Sequence, residues 1–257
     1  MTVAEIYTAW MTIVRKEIKR FMRIWVQTLI PPSITMVLYF VIFGNLIGTR
    51  IGSMGGFDYM QFVVPGLIMM SVITNSYGNV VSSFYSCKYQ GNIEEMLVSP
   101  IPNWVILAGY ITGGVARGLA VGLIVTSLSL FFTNLNIHNF AIIVLVVLMT
   151  SILFSLGGFI NAIYANSFDD VSIIPTFVLT PLTYLGGVFY SIDLLPEFWA
   201  AVSQANPILY MVNAFRYGIL GVSDIDIGLA FVVITAFIVV LFAYCMHLLN
   251  TGKGIRK

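Results

Sequence analysis

The run CKYQGNIEEMLVSPIPN, residues 87–103, decides how the chain is organised. Apolar stretches flank it, 62–86 before and 104–132 after. Inside it Lys88, Gln90, Asn92, Glu94 and Glu95 stand beside Ile93, Met96, Leu97 and Val98. That mixture predicts a short helix with one wet face and one apolar face. Pro100 and Pro102 stop it, because proline lacks the amide donor and clashes with the preceding turn. Such a helix between two apolar spans is either a coiled loop or a contact point for something outside the membrane.

The surrounding composition is that of a membrane protein. Of 257 residues 59% are hydrophobic and 9% charged, with a mean hydropathy of +0.95. A soluble domain of this size carries about a quarter charged residues. The expectation is one all-α integral membrane domain over 1–257 with little chain left for an aqueous domain. A net charge of +1 and no basic cluster with interleaved aromatics beyond the N-terminus argue against nucleic acid. Cys87 and Cys245 both fall at the cytoplasmic end of a span, where a structural disulfide is not expected and packing thiols are. The first long apolar run begins near Val26 and lacks a short core with a cleavage site, so no cleavable signal peptide is expected.

Working outward, six spans are predicted: 26–47, 62–86, a stretch within 104–132, 140–162, 171–189 and 227–249. Ahead of them, 4–24 reads as an amphipathic interfacial helix. Ile6, Trp10, Val14, Ile18, Phe21 and Trp25 share one side; Arg15, Lys16, Lys19, Arg20 and Arg23 share the other, towards headgroups. It is read as an anchor for orientation or as a helix that also leans on a cytoplasmic partner. In span 2, Ser71, Asn75, Asn79 and Ser82 recur at helical spacing. They either line a path or hydrogen-bond between helices of one chain. In span 3, Gly114, Gly118 and Gly122 form overlapping G-x-x-x-G patterns that let a neighbouring helix approach, and Arg117 is placed at the inner boundary, snorkelling. Asp169 and Asp170, in the turn NSFDD, read as a helix cap for span 5 or as coupling carboxylates. Between spans 5 and 6, 191–226 is too short and too punctuated to span. It reads as an external re-entrant hairpin, with Asn206 and Pro207 opening its second half and Arg216 either snorkelling or pairing with Asp193, Glu197 or Asp224 at an outer gate.

Orientation follows from lysine and arginine. With both termini cytoplasmic, Arg15, Lys16, Lys19, Arg20, Arg23, Lys88, Lys253, Arg256 and Lys257 lie inside and only Arg50 and Arg216 outside. Catalytic chemistry is not expected. TGKG at 251–254 lacks the phosphate-cradling loop, His138 and His247 fall on opposite sides of the membrane, and no triad or metal cluster assembles on one side. No Asp or Glu lies at the centre of a span, as proton- or sodium-coupled carriers need. Energy for uphill transport must come from a partner.

Three stretches carry a resemblance: NIEEMLVSPIP at 92–102, GGVARG at 113–118 and NPILYMVNAFRYG at 206–218. In that order, with this span pattern, the chain resembles the permease subunits of ABC type-2 exporters, of the compact bacterial inner-membrane efflux type. The resemblance implies a homodimer of permeases in the lipid bilayer bound to two ATP-binding subunits, with ATP and Mg on those subunits and no cofactor on this chain. It makes Gln90, Asn92, Ile93, Glu94, Glu95, Met96 and Leu97 the coupling helix, with Ile93, Met96 and Leu97 anchoring in a groove of the ATPase. The other readings are a secondary carrier or channel, and a non-transporting scaffold for a cytoplasmic partner.

Overall fold

Thr2 starts the first helix. Its hydroxyl accepts from the Glu5 amide and its own amide donates to the Glu5 carboxylate, a reciprocal cap for α1 (Val3–Arg23). In the computed structural model, which describes residues 1–254, α1 is followed by α2 (Trp25–Thr28), α3 (Ile30–Val41), a π-helical segment (Ile42–Gly48) and α4 (Thr49–Ile51). These run on over Trp25–Ile51. Pro31 and Pro32 occupy the first turn of α3, where a missing amide donor costs least. A two-residue hairpin, β1 (Ser53–Met54) and β2 (Phe57–Asp58), turns the chain at Gly55 and Gly56, both with positive φ.

Next comes α5 (Tyr59–Tyr89), 31 residues and so ~46 Å long. Gly91, at φ 80°, breaks the chain into α6 (Asn92–Val98). Then follow α7 (Asn103–Ser129) and α8 (Phe140–Tyr164). The stretch read as span 5 is α9 (Phe168–Ile174), a π-helical turn (Pro175–Leu179) and α10 (Thr180–Tyr184). Each proline interrupts the ladder where it falls. Last are α11 (Glu197–Gln204), α12 (Pro207–Leu220) and α13 (Ile227–Thr251).

Four of these segments are long and apolar enough to cross a membrane: Trp25–Ile51, Asn103–Ser129, Phe140–Tyr164 and Ile227–Thr251. α5 is the longest helix yet is not among them, because Ser71, Asn75, Ser76, Asn79 and Ser83 dilute it. It is instead the helix packed by α7, α8 and α12, with Val63, Val64, Leu67, Val72 and Ile73 buried.

Contacts sort the bundle into two ends. At one, Lys88 closes α5 by donating to the carbonyls of Ile163 and Ala165 (2.9 Å for Ala165), and the Asn103 amide donates to Asn250 at 2.8 Å. At the other, Tyr59 donates to the Phe189 carbonyl at 3.2 Å, and the His138 and Asn139 amides reach Gly218. The contacts of α12 fall at this second end. Asn206 donates to the Leu182 carbonyl, and Gly186 and Gly218 lie against Ile208 and Ile143. Arg256 and Lys257, two of the cations expected inside, lie outside the described residues.

Candidate functional site

The short helix α6 is fixed to its own chain. Ile93 is 1% exposed and belongs to the core, and Met96 and Leu97 are half-buried against it. Of the three residues expected to anchor in a partner, Ile93 is taken up by its own chain, while Met96 and Leu97 keep part of their surface open. A seven-residue helix cannot hold itself in water, so its apolar side packs on α5. The face left open carries Asn92, Glu94, Glu95 and Val98, the last 87% exposed, with Tyr89 and Gln90 beside it.

The polar stripe of α5 points inward. Ser71, Asn75 and Asn79 are buried and Ser82 is half-buried. Asn79 receives Arg20 of α1 at both its backbone carbonyl and its side-chain oxygen, each at 2.8 Å, and Ser82 accepts from Arg20 at 3.4 Å. Asn75 accepts from Arg117 of α7 at 3.0 Å, and Arg117 also reaches the Thr28 carbonyl. Arg117 therefore turns into the protein instead of snorkelling, because a side-chain amide and a carbonyl are waiting there.

One residue of this cluster escaped sequence reading. Glu17, in the basic run of α1, is fully buried. Its carboxylate accepts from Ser83 at 2.7 Å and lies 3.8 Å from Lys16 and 3.5 Å from Arg20. Lys16 donates to the Tyr110 hydroxyl at 3.3 Å. The expected division of α1 is thus revised. Ile13, Val14, Glu17 and Phe21 form its buried side, Ile18 and Trp25 are exposed, and Lys16 and Arg20 reach inward. Ile13 and Glu17 sit against Gly109 and Gly113, where a Cβ would lie 2.5 Å from each. Those two glycines, outside the G-x-x-x-G reading, are the signal that another helix comes close.

Gly114, Gly118 and Gly122 face the other way. Gly114 lies against Val80 and Ser155, Gly118 against Ser76 and Ser151, and Gly122 against Val72. They are the seam where α7 meets α5 and α8.

The side of α5 left open by α7, α8 and α12 runs through half-buried Met70, exposed Thr74 and half-buried Gly78. Met70 and Thr74 line a hollow of about 210 Å3 with Pro175, Thr176, Leu179, Thr180 and Thr183 of the proline-broken segment. The hydroxyls of Thr74 and Thr180 are tied to the Met70 and Pro175 carbonyls.

Arg216 is fully buried, and the outer-gate ion pair is corrected. It donates to the carbonyls of Gly187 (2.6 Å) and Phe62 (3.3 Å) and to Asn213 (3.3 Å), and stacks 3.8 Å over the Phe62 ring. Asp224 is reached through Asn213, whose side-chain oxygen also accepts the Asp224 amide. The physical reason is local. Gly187 follows a broken helix and leaves carbonyls that need donors. Asn206 caps α12 by accepting from the Ile208 amide at 3.0 Å, and Pro207 is the first residue of that helix. In the NSFDD turn, Ser167 is the cap and Asp170 its reciprocal partner. The amide of Asn166 foremost, and then Ser167, hold the Asp170 carboxyl below its ordinary range. His138 packs edge-on to Tyr217, and both cysteines are buried free thiols.

Residues 8–220 match the family model described as ABC-2 type transporter. The chain is 59% identical to the inner membrane transport permease YadH of Escherichia coli K12, over 98% of each protein. It is 22% identical to nodulation protein J of Rhizobium leguminosarum bv. viciae, over 94% of this chain and 93% of that protein.

Proposed function

Because the chain belongs to the ABC-2 type transporter family as a transport permease, we propose that two copies form an export path across a bacterial inner membrane, driven by two separate ATP-binding subunits that carry ATP and Mg. The chain is read as one transmembrane domain over 1–257 with six spans and both termini inside. α5 and the stretch 171–189, after the NSFDD turn, join the four apolar helices as spans. The α11–α12 pair is a re-entrant hairpin on the outer side, which its confinement to one end of the bundle supports. Lys88, Lys253 and the cations of α1 then share the cytoplasmic side.

The observation that carries the reading is α6. It is held by Ile93, with Met96 and Leu97 against the core, while Glu94, Glu95 and Val98 are presented outward. An acidic ridge with one apolar contact at its end fits a groove with basic walls on an ATPase. ATP closing two such subunits moves the two α6 helices, and α5, joined to each through the turn at Gly91, carries the shift into the membrane. Of the polar stripe Ser71, Asn75, Asn79 and Ser82, the last three serve as the internal tie that lets α5 move with α1 and α7. The path candidate shifts to the open line Met70, Thr74 and Gly78 with Thr176 and Thr180. A coupled carrier needs a carboxylate that titrates on the path. Among the described residues the fully buried carboxylate is Glu17, and Ser83 and two cations hold it.

The test is co-purification of the ATP-binding subunit in mild detergent. Glu94→Lys with Val98→Asp should release it, while Thr74→Trp should keep it and cut transport. Retention of the subunit by the α6 variant would sink the coupling assignment.

A further inference from the structure

Four cations share one face of α1. Lys16, Lys19, Arg20 and Arg23 stand at i, i+3, i+4 and i+7 and, with Met22, line an open hollow of about 780 Å3. A fifth, Arg117, sits one turn deeper along α5 on Asn75. Against them the cluster holds one carboxylate, Glu17, which lies within 4 Å of Lys16 and Arg20 and is also taken by Ser83. Among the described residues no carboxylate comes that close to Lys19 or Arg23. Beside Arg20 the fully buried Asn79 side chain keeps an amide donor without an acceptor, as does the Nε of Arg117, but neither residue lines the hollow, and the Nε of Arg20 faces Glu17 at 3.5 Å. This excess of positive charge around the hollow calls for an anion. The next surface along the chain is apolar and exposed: Met22, Trp25 and Val26 are each about half exposed, where the first membrane-length segment begins. A soluble anion has no use for that surface; an amphiphile does.

We propose that the hollow is a discrete site for the phosphate headgroup of one acidic phospholipid, its acyl chains lying along Met22, Trp25 and Val26. Lys19 and Arg23 close on the phosphate from the rim, and Arg20 orients it while holding Asn79. The site needs no nucleotide and no second subunit, so it stands or falls apart from the coupling assignment.

The test is native mass spectrometry of the detergent-purified permease with added phosphatidylglycerol or phosphatidylcholine. One phosphatidylglycerol should stay with each chain and phosphatidylcholine should not. Lys19→Gln with Arg23→Gln should weaken retention about thirtyfold, at about one kcal/mol for each cation removed. Arg50→Gln with Lys253→Gln removes the same charge from exposed positions away from α1 and should change nothing. Equal weakening by both pairs would mean diffuse attraction and overturn the site. So would inorganic phosphate binding as tightly as the lipid, which would make the ligand a free anion.

Discussion

Arg216 shows what a buried cation does when it has no carboxylate beside it. It spends its donors on two carbonyls and Asn213, so Arg216→Ala should leave those acceptors dry. Each hydrogen bond from a charged group is worth about 1.5–3 kcal/mol, and the expected outcome is a large fall in the melting temperature of the detergent-solubilised protein. Arg216→Lys should fall nearly as far, because an ammonium cannot reach three acceptors spread as a guanidinium fork spreads them. Glu17 gives a graded case. Glu17→Gln keeps a partner for Ser83 and loses the charge, whereas Glu17→Leu loses both and leaves Arg20 and Lys16 facing apolar surface. The melts should rank wild type, Gln, then Leu; a Leu variant as stable as wild type would remove Glu17 from the list of structural ties. Arg216 was visible as an arginine in a short helix, but its partners were not, since Gly187 and Phe62 lie 29 and 154 residues away. Glu17 was hidden by its neighbours, one acid among five bases on a helical wheel.

At the scale of elements, two glycine-bearing helices differ in what they tolerate. A Cβ at Gly118 would stand 2.0 Å from the Ser76 hydroxyl, whereas one at Gly78 would meet nothing within 4 Å. Gly118→Val should therefore split the seam of α7 with α5 and α8 and reduce folded yield, while Gly78→Ala should leave the melt unchanged or raise it slightly through helix propensity. The start of α9 gives a pH test. The Asp170 carboxyl is depressed in the folded protein, so its contribution is present above the unfolded carboxylate range. It is lost as pH falls through the folded value. Stability followed by thermal melts from pH 6 down to pH 3 should fall in wild type with a component absent from Asp170→Asn; parallel curves would mean the cap carries no linkage. Most element positions could be read from the chain, because proline, glycine and cap residues punctuate it locally. The π-helical turns at Ile42–Gly48 and Pro175–Leu179 were not, since a changed hydrogen-bond register has no composition of its own.

For the whole molecule, the separation between α6 and the open line of α5 predicts two separable defects. Variants at Glu94 and Val98 should lower ATPase association and transport together. Thr74→Trp should lower transport alone, measured as ATPase activity of the complex against cargo movement in vesicles. A Thr74→Trp complex that also loses its ATPase would merge the two surfaces into one. By itself the sequence determined the membrane character, the run of apolar helices, the break at 87–103 and the positions of the turns, because each follows from local hydropathy, proline and glycine. Only the tertiary structure decided which way the polar faces of α1 and α5 point, that Ile93 serves its own chain, and that the open side of α5 is Met70, Thr74 and Gly78. A helical wheel gives the spacing of polar groups and not their direction. Inside an apolar bundle a polar side chain turns towards whichever complementary group another helix brings near, and that group is set by packing between residues far apart in the chain.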